Sequence, residues 1–378
     1  MQRGVESLSV ACESGSGRLN VDVAEAFVSP ISRRMKMQRH NDCNQPELNH
    51  WTRRQFVQTA GAAAAIVAVP KFLPAAEDEQ RKPETLVKTL YDSLSPEQKA
   101  KMCHAWDYTD ERGLLRAHVN NNWQINDIRV ASDFYTKDQQ DMIEAIFWGL
   151  YQPDWKDRIK KQLQDDAGEY GKHQSIALFG EPGTGKFEFV MTGRHLTIRC
   201  DGDSTEHFAF GGPIFYGHAA QGFNEQPDHP GNVFWYQAQK ANDLYKMLDG
   251  KQRTLALVPS ALEESAVQFR TGDIKPIGLP LSELSKDQQE HAQKVLQALI
   301  EPYRKVDQEE VRKCLSAQGG LEKCKIAFFA DSDLGNDQVW DVWRIEGPSF
   351  VWHYRGAPHV HVWANVADDS SVKISLPG

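Results

Sequence analysis

The chain has 378 residues, 40% of them hydrophobic and 25% charged, with a formal net charge of −9. That balance suits a folded body with a sizeable core and speaks against a long disordered tract. It also argues against binding nucleic acid or an anionic lipid surface through charge, since either needs a basic face to displace counterions.

Residues 1–76 stand apart from the fold. Trp51-Thr52-Arg53-Arg54-Gln55-Phe56-Val57 sets an arginine pair ahead of an apolar segment, Phe56 to Val69, followed by Leu73-Pro74-Ala75-Ala76 and the charged Glu77-Asp78-Glu79. A basic segment, an Ala-rich apolar run and small residues at a cleavage point resemble a bacterial twin-arginine export signal. The apolar run is about fourteen residues, short of the roughly 20 that a membrane-spanning helix needs, so a cleaved signal is favoured over an uncleaved anchor. The expectation is export by the twin-arginine machinery to the periplasm or extracellular space. That route carries folded proteins, which agrees with a cofactor loaded beforehand. The residues ahead of Met35 and Met37 are polar and aperiodic, as expected of a misassigned start.

Beyond the signal, residues 77–378 read as a single domain. Cys103, Cys200, Cys314 and Cys324 lie in it, and Cys314 and Cys324 are close enough in sequence to close a small disulfide loop in an oxidising compartment. With no CxxC pair, a structural zinc knuckle is not expected. Cys200 ends an apolar run and reads as a small buried hydrophobe.

Glu84 to Met102 is helical, with Leu86, Leu90 and Leu94 on one stripe and a restart at Ser95-Pro96. Tyr135-Thr136-Lys137-Asp138-Gln139-Gln140 opens a second helical segment and Leu284-Ser285-Lys286-Asp287-Gln288-Gln289 a third. In each, a Ser or Thr cap with an acid or Gln in the first turn satisfies orphan amides and complements the helix dipole. Between the first two, Asp107 to Asp133 is polar and loop-like, with Trp106 and Trp123 beside it or within it. Aromatic residues on such a loop can line a binding cleft.

Gly180-Glu181-Pro182-Gly183-Thr184-Gly185-Lys186 follows the apolar run Ser175 to Phe179 and matches the glycine and lysine positions of a phosphate-binding loop. Phe187 stands where a hydroxyl should hold magnesium. The residues that follow alternate as a strand, where phosphate binding needs a helix N-terminus. The segment therefore predicts a hairpin loop and no nucleotide partner. Thr192 to Arg199, a turn and a third strand, continues the hairpin, and Ala209 to His218 adds another apolar run.

Asn232 to Arg304 is mainly helical: Phe234, Ala238, Ala241, Leu244, Tyr245 and Leu248 fall at helical spacing, and Gly250 ends the run. Thr254 to Val258 reads as either a short strand or an extension of the helix. A short polar helix, Asp307 to Cys314, precedes the strand Ile326 to Ala330. Val339 to Trp363, VWDVWRIEGPSFVWHYRGAPHVHVW, then reads as an antiparallel meander, with turns at Gly347-Pro348 and Arg355 to Pro358.

Together Leu-Ser-Pro-Glu-Gln, FGEPGTGKFEF, GRHLTI, GGPIFYGHA, WRIEGPSFVWHY and HVHVW resemble the bacterial DUF3500 family over roughly Glu84 to Ala367. The resemblance implies no activity. In the family's pattern the first strand motif reads Gly-His-His-Leu and the last Asn-His-Ile-His. These map to Gly193, His195, His359, His361 and Trp363, with Arg194 in place of the first histidine and Pro358 in place of the asparagine. A Glu usually stands at the position of His353. These departures bear on whether this member keeps the family's chemistry.

His359 and His361 are two apart on a strand, which puts both imidazoles on one face. A His-x-His pair gives a metal, zinc or copper, two nitrogen ligands, and a neighbouring strand can supply a third. His195 is the first candidate; His353, Glu206, His207 or His218 could complete the set. A four-residue turn would carry His353 to the opposite face from the pair, and a three- or five-residue turn would bring it round. The alternative is that these imidazoles are simply partly buried strand residues. Trp123 and Trp363 are candidate ligand-binding aromatics. No Gly-x-Ser-x-Gly elbow or HExxH motif occurs.

The architecture expected is α+β, with antiparallel hairpins at about 174–218 and 324–366 pairing into one sheet under helices. Strands grouped in hairpins disfavour a doubly wound nucleotide fold. Two functions fit: a hydrolase-like metalloenzyme acting on a small molecule through His195, His359 and His361, or a non-catalytic protein binding an envelope polymer in an aromatic cleft.

Overall fold

The computed structural model describes residues 82–202, 204–219, 233–271 and 275–377. The chain enters through helices Pro83–Ser93 (α1) and Pro96–Met102 (α2), then three two-residue strands, Cys103–His104 (β1), Thr109–Asp110 (β2) and Gly113–Leu114 (β3). Helices Lys137–Gly149 (α3) and Lys156–Ala167 (α4) lead to strands Ser175–Gly180 (β4), Phe187–Gly193 (β5), Leu196–Cys200 (β6) and Ile214–His218 (β7). Next come Trp235–Met247 (α5), Gly250–Ala256 (α6), Leu257–Val258 (β8), Leu279–Pro280 (β9), Lys286–Ile300 (α7) and Lys305–Ala317 (α8). Strands Lys325–Phe329 (β10), Val342–Glu346 (β11), Phe350–Arg355 (β12) and Val360–Val366 (β13) complete the order.

Eleven strands form one sheet in the order β1-β4-β5-β6-β7-β13-β12-β11-β10-β8, with β9 also paired to β10. Only the short edge pairs β1·β4 and β8·β10 are parallel. The two hairpin groups expected from the sequence are thus β4–β7 and β10–β13, and they join along the antiparallel seam of β7 with β13. The fold is α+β.

Register assigns the residues to two faces. Along β12 and β13, Trp352, Tyr354, Val362 and Ala364 point one way with Tyr216 and Ile214 of β7. This face is apolar, and residues of the helices pack on it to make the main core. Aromatic rings dominate the burial: Trp235, Trp343, Trp352 and Tyr354 are essentially closed to solvent. The other face carries Glu188, Arg199, Arg344, Glu346, His353 and His361, all buried, and is covered by irregular chain. Trp123, Leu115 and Ile125 close it at one end; Val267, Phe269, Ile374 and Leu376 close it in the middle. A polar sheet face roofed by loops, opposite an apolar face packed by helices, is the frame in which any site must sit.

The repeated phrase at helix starts does what its composition implies. Ser95 with Gln98, Thr136 with Gln139 and Ser285 with Gln288 each form a reciprocal capping box, and Asp249 with Gln252 makes a fourth. Residues 254–258 divide between the two readings, since α6 runs through Ala256 and β8 follows it directly. The glycine-rich segment Gly180 to Lys186 is a hairpin connection: Gly180 pairs with Phe187, and strand β5, not a helix, follows it.

Cys314 and Cys324, whose spacing would allow a disulfide, are free thiols, both buried. Burial pushes each thiol up to about 12, and Gln318 Nε2 lies 3.4 Å from Cys324 Sγ. The segment that resembles an export signal, residues 51–76, lies outside the described residues. Among the described residues no helix is long and apolar enough to cross a membrane.

A candidate metal centre

Three imidazoles meet at the β7–β13 seam. His361 lies in β13, opposite Gly217 of β7 on one side and Arg355 of β12 on the other. His359 is two residues earlier, so the alternation of the strand carries it to the same face, and its Nε2 lies 2.9 Å from His361 Nε2. His195 comes from the first hairpin group, with its Nε2 3.1 Å from His361 Nε2. The ligand nitrogens of the three lie within 4.8 Å of one another.

His195 is not on a strand, as the sequence reading had it. Gly193 pairs with Leu196, so Arg194 and His195 form a two-residue turn, and His195 takes φ +53°. Such turns favour Asn or Gly, because a side chain at positive φ is crowded. Histidine there is held by context: its amide donates to the Asn121 carbonyl at 3.0 Å. Gly217 makes room for the ring, since a Cβ at that position would sit 2.3 Å from the Val360 carbonyl oxygen and 3.3 Å from His195 Cδ2.

The outer nitrogens decide the chemistry. His195 Nδ1 faces Asp166 Oδ2 at 2.9 Å, and His361 Nδ1 faces Glu264 Oε1 at 3.0 Å. An ionised carboxylate only accepts, so both Nδ1 atoms carry the hydrogen and both Nε2 atoms present a bare lone pair when the rings are neutral. Asp166 is steadied by Gln162 Nε2 at 2.6 Å and by the Ala219 amide at 2.8 Å. Glu264 is steadied by Arg355 Nε at 3.2 Å. Burial pushes His359 and His361 down to about 4, the neighbouring imidazoles adding to it at His359, so both stay neutral at pH 7. The Nε2 lone pairs of His195 and His361 then face each other at 3.1 Å, an arrangement that a shared cation relieves, and His359 Nε2 stands 2.9 Å from His361 Nε2. Zinc–nitrogen bonds of roughly 2.0–2.1 Å in a tetrahedron put nitrogens about 3.3 Å apart, close to these separations. The triad can hold a metal ion, and its carboxylate partners are the kind that orient metal-bound histidines.

Among the other candidates, five residues separate Arg355 from its partner His361. This brings His353 onto the triad's face, opposite Trp363. It does not join the triad, however, and neither of its nitrogens has a hydrogen-bond partner among the described residues. His218 pairs with Asp165 at 2.8 Å and His207 with Asp368 at 2.6 Å. Glu206 is exposed and is not part of the three-ligand group. Trp123 and Trp363 are 8% and 1% exposed, so both pack inside the loop-covered face and neither forms an open platform. The Trp123 indole donates to Thr197 Oγ1 at 2.9 Å.

Sequence reasoning missed Asp166 and Glu264. For Asp166 a signal existed: Asp165 and Asp166 stand in the last turn of α4, where the helix dipole disfavours acids, so a second use was implied. Glu264 lies in an irregular segment with nothing local to mark it.

Burial also lowers His118 to about 4 and His353 to about 3, with Arg112 and Arg344 respectively as the next cause. An unfolded histidine titrates near 6.5, so between about pH 6.5 and about 4 the unfolded chain binds protons that the folded chain refuses. Stability therefore rises with pH across that window. Chelator-treated protein is expected to lose melting temperature on acidification from pH 7 to 4, and His353→Gln to lose less. A melting temperature flat over that range would contradict this.

The family model described as "Protein of unknown function (DUF3500)" matches residues 76–366. No curated protein and no solved structure matches the chain.

Proposed function

The chain belongs to the DUF3500 family, and we propose that His195, His359 and His361 hold one metal ion, zinc or copper, at a hydrolytic centre acting on a small substrate. The observation that carries the reading is the convergence of three imidazole nitrogens whose outer partners, Asp166 and Glu264, fix two of them as lone-pair donors. Three nitrogens without a thiolate suit zinc or copper(II). A three-histidine centre leaves a position for water or a substrate carbonyl, and the metal would supply polarisation of that group. His359 is only half-buried and opens the centre toward solvent. Asp166 and Glu264 keep the rings in one tautomer and orientation throughout.

The test is hydrolysis of ester, amide and phosphoester panels by untagged protein, metal-loaded and chelated. Turnover present only in the loaded form, and lost in His361→Ala, is the expected result. Turnover indifferent to chelation would sink the reading.

The proposal extends to location. Arg53-Arg54 ahead of the Phe56 to Val69 run supports export through the twin-arginine route to the periplasm or extracellular space. A centre assembled before transport agrees with a route that carries folded proteins.

A further inference from the structure

Beside the triad lies a groove of about 640 Å³ whose lining includes Glu263, Glu264, Asp331, Asp333, His353 and Arg355. It shares Glu264 with the outer contacts of His361, and one wall is Ala357-Pro358, immediately before His359. Four carboxylates face one guanidinium in that lining, and the guanidinium of Arg355 is already paired with Glu264. Asp331 and Asp333 are fixed by neutral donors among the described residues. Asp331 accepts the Ala261 amide at 3.1 Å and the Ser332 hydroxyl at 2.8 Å, and Asp333 accepts the amides of Asp337 and Gln338 at 3.2 and 3.0 Å. Among the described residues, neutral donors hold the two carboxylates in place and no Lys or Arg pairs with either.

A second observation points to an occupant. His353 is 1% exposed and lines the groove, yet both ring nitrogens lack a hydrogen-bond partner among the described residues. Buried polar groups in folded proteins are nearly always satisfied, and an exception at a cavity marks a place where something else supplies the bond. A neutral imidazole accepts a hydrogen bond through its bare nitrogen, so His353 can take an N–H of a ligand that enters the groove.

We propose that this groove binds the charged end of the substrate, an organic cation bearing an ammonium or guanidinium group, with Asp331 and Asp333 facing the charge and His353 hydrogen-bonding the group at the floor. The proposal rests on the metal reading for what is done to the ligand, but not for whether it binds. Acidic walls with little competing positive charge attract such ligands and reject anions, and the short path past Pro358 sets the rest of the molecule against His359.

Calorimetric titration of metal-loaded protein with agmatine, with 1,4-butanediol and succinate as neutral and anionic controls, tests it. Agmatine is expected to bind with a salt-sensitive Kd and the controls not at all. The double variant Asp331→Asn/Asp333→Asn keeps the oxygen acceptors for the loop amides and should weaken agmatine at least about tenfold. His353→Asn should weaken it again, with folding checked by urea denaturation. Equal binding of butanediol or succinate, an agmatine Kd unchanged in the double variant, or full displacement of agmatine by magnesium alone would each overturn the proposal. Metal content measured on the same samples separates the failures: a loaded centre that ignores agmatine removes only the groove assignment, whereas protein that takes up no metal removes the centre itself.

Discussion

Changing His361 to Ala is expected to take the metal content of untagged protein from about one ion per chain to near zero. His361 is the middle imidazole, with its Nε2 within 3.1 Å of both of the others, so its loss leaves two nitrogens that no longer share a near neighbour. Asp166→Asn and Glu264→Gln keep all three ligands but exchange a carboxylate for an amide that can present its NH2 to the ring nitrogen. The orienting contact weakens, and affinity should fall by about 10–100-fold without abolishing binding. His195→Asn is the most informative variant. Asparagine tolerates the φ of +53° at this turn better than histidine, which offsets part of the cost of leaving the buried Asp166 carboxylate without its imidazole partner, so metal binding should be lost with only a modest loss of stability in the metal-free fold. Elemental analysis of protein from cells grown with ample zinc and copper, together with calorimetry of the metal-free forms, reads both quantities. A near-zero content in the unaltered protein would end the metal hypothesis, and a large loss of stability in His195→Asn would show that the buried His195–Asp166 contact holds the fold together even without metal.

Arg199→Met is expected to cost about 3–5 kcal/mol, measured by urea denaturation of metal-free protein. The guanidinium is closed to solvent with Nε 3.0 Å from Glu188 Oε1, and Glu188 is equally buried. Arg199 also donates to the carbonyls of Arg116 at 3.1 Å and His118 at 2.7 Å, and to that of Pro213, tying the loop cover to the sheet. Its removal strands a buried carboxylate whose remaining cation, Arg116, stands 3.7 Å away. Burial already pushes Glu188 up to about 8, so without Arg199 it takes up a proton, and most of the cost is this unpaired buried carboxyl; adding Glu188→Gln should recover part of it. A single variant as stable as the unaltered chain would show that water reaches this face.

Much of the fold was legible because it rests on local chemistry. Alternation and turn residues mark β4–β5 and β11–β13, and a Ser or Thr followed three residues later by Gln marks the caps at Ser95, Thr136 and Ser285. The site was legible where spacing alone decides it: His359 and His361 must share a face if they lie on or beside one strand. His353 needed the turn length, which sequence left open and the pairing of Arg355 with His361 supplies. Glu264 reaches the triad from the irregular 259–271 segment, which has no periodicity to read, whereas Asp166 sits on the buried stripe of α4 with Ile159, Gln162 and Leu163. The polar face was hidden for a related reason. Its roof is irregular chain, and an irregular segment does not announce which sheet face it covers.

The triad draws on both halves of the sheet, and His195 and His361 are 166 positions apart in the chain. No growing polypeptide can present this ligand set before residue 361 has been made, and the β7–β13 seam must then zip before the three rings meet. An ion held there would act as a clasp across that seam, so metal binding would add its own stability to the pairing of the two hairpin groups. Loading would accordingly be a late step of maturation, and a loaded chain should resist pulling or proteolysis most strongly at that junction.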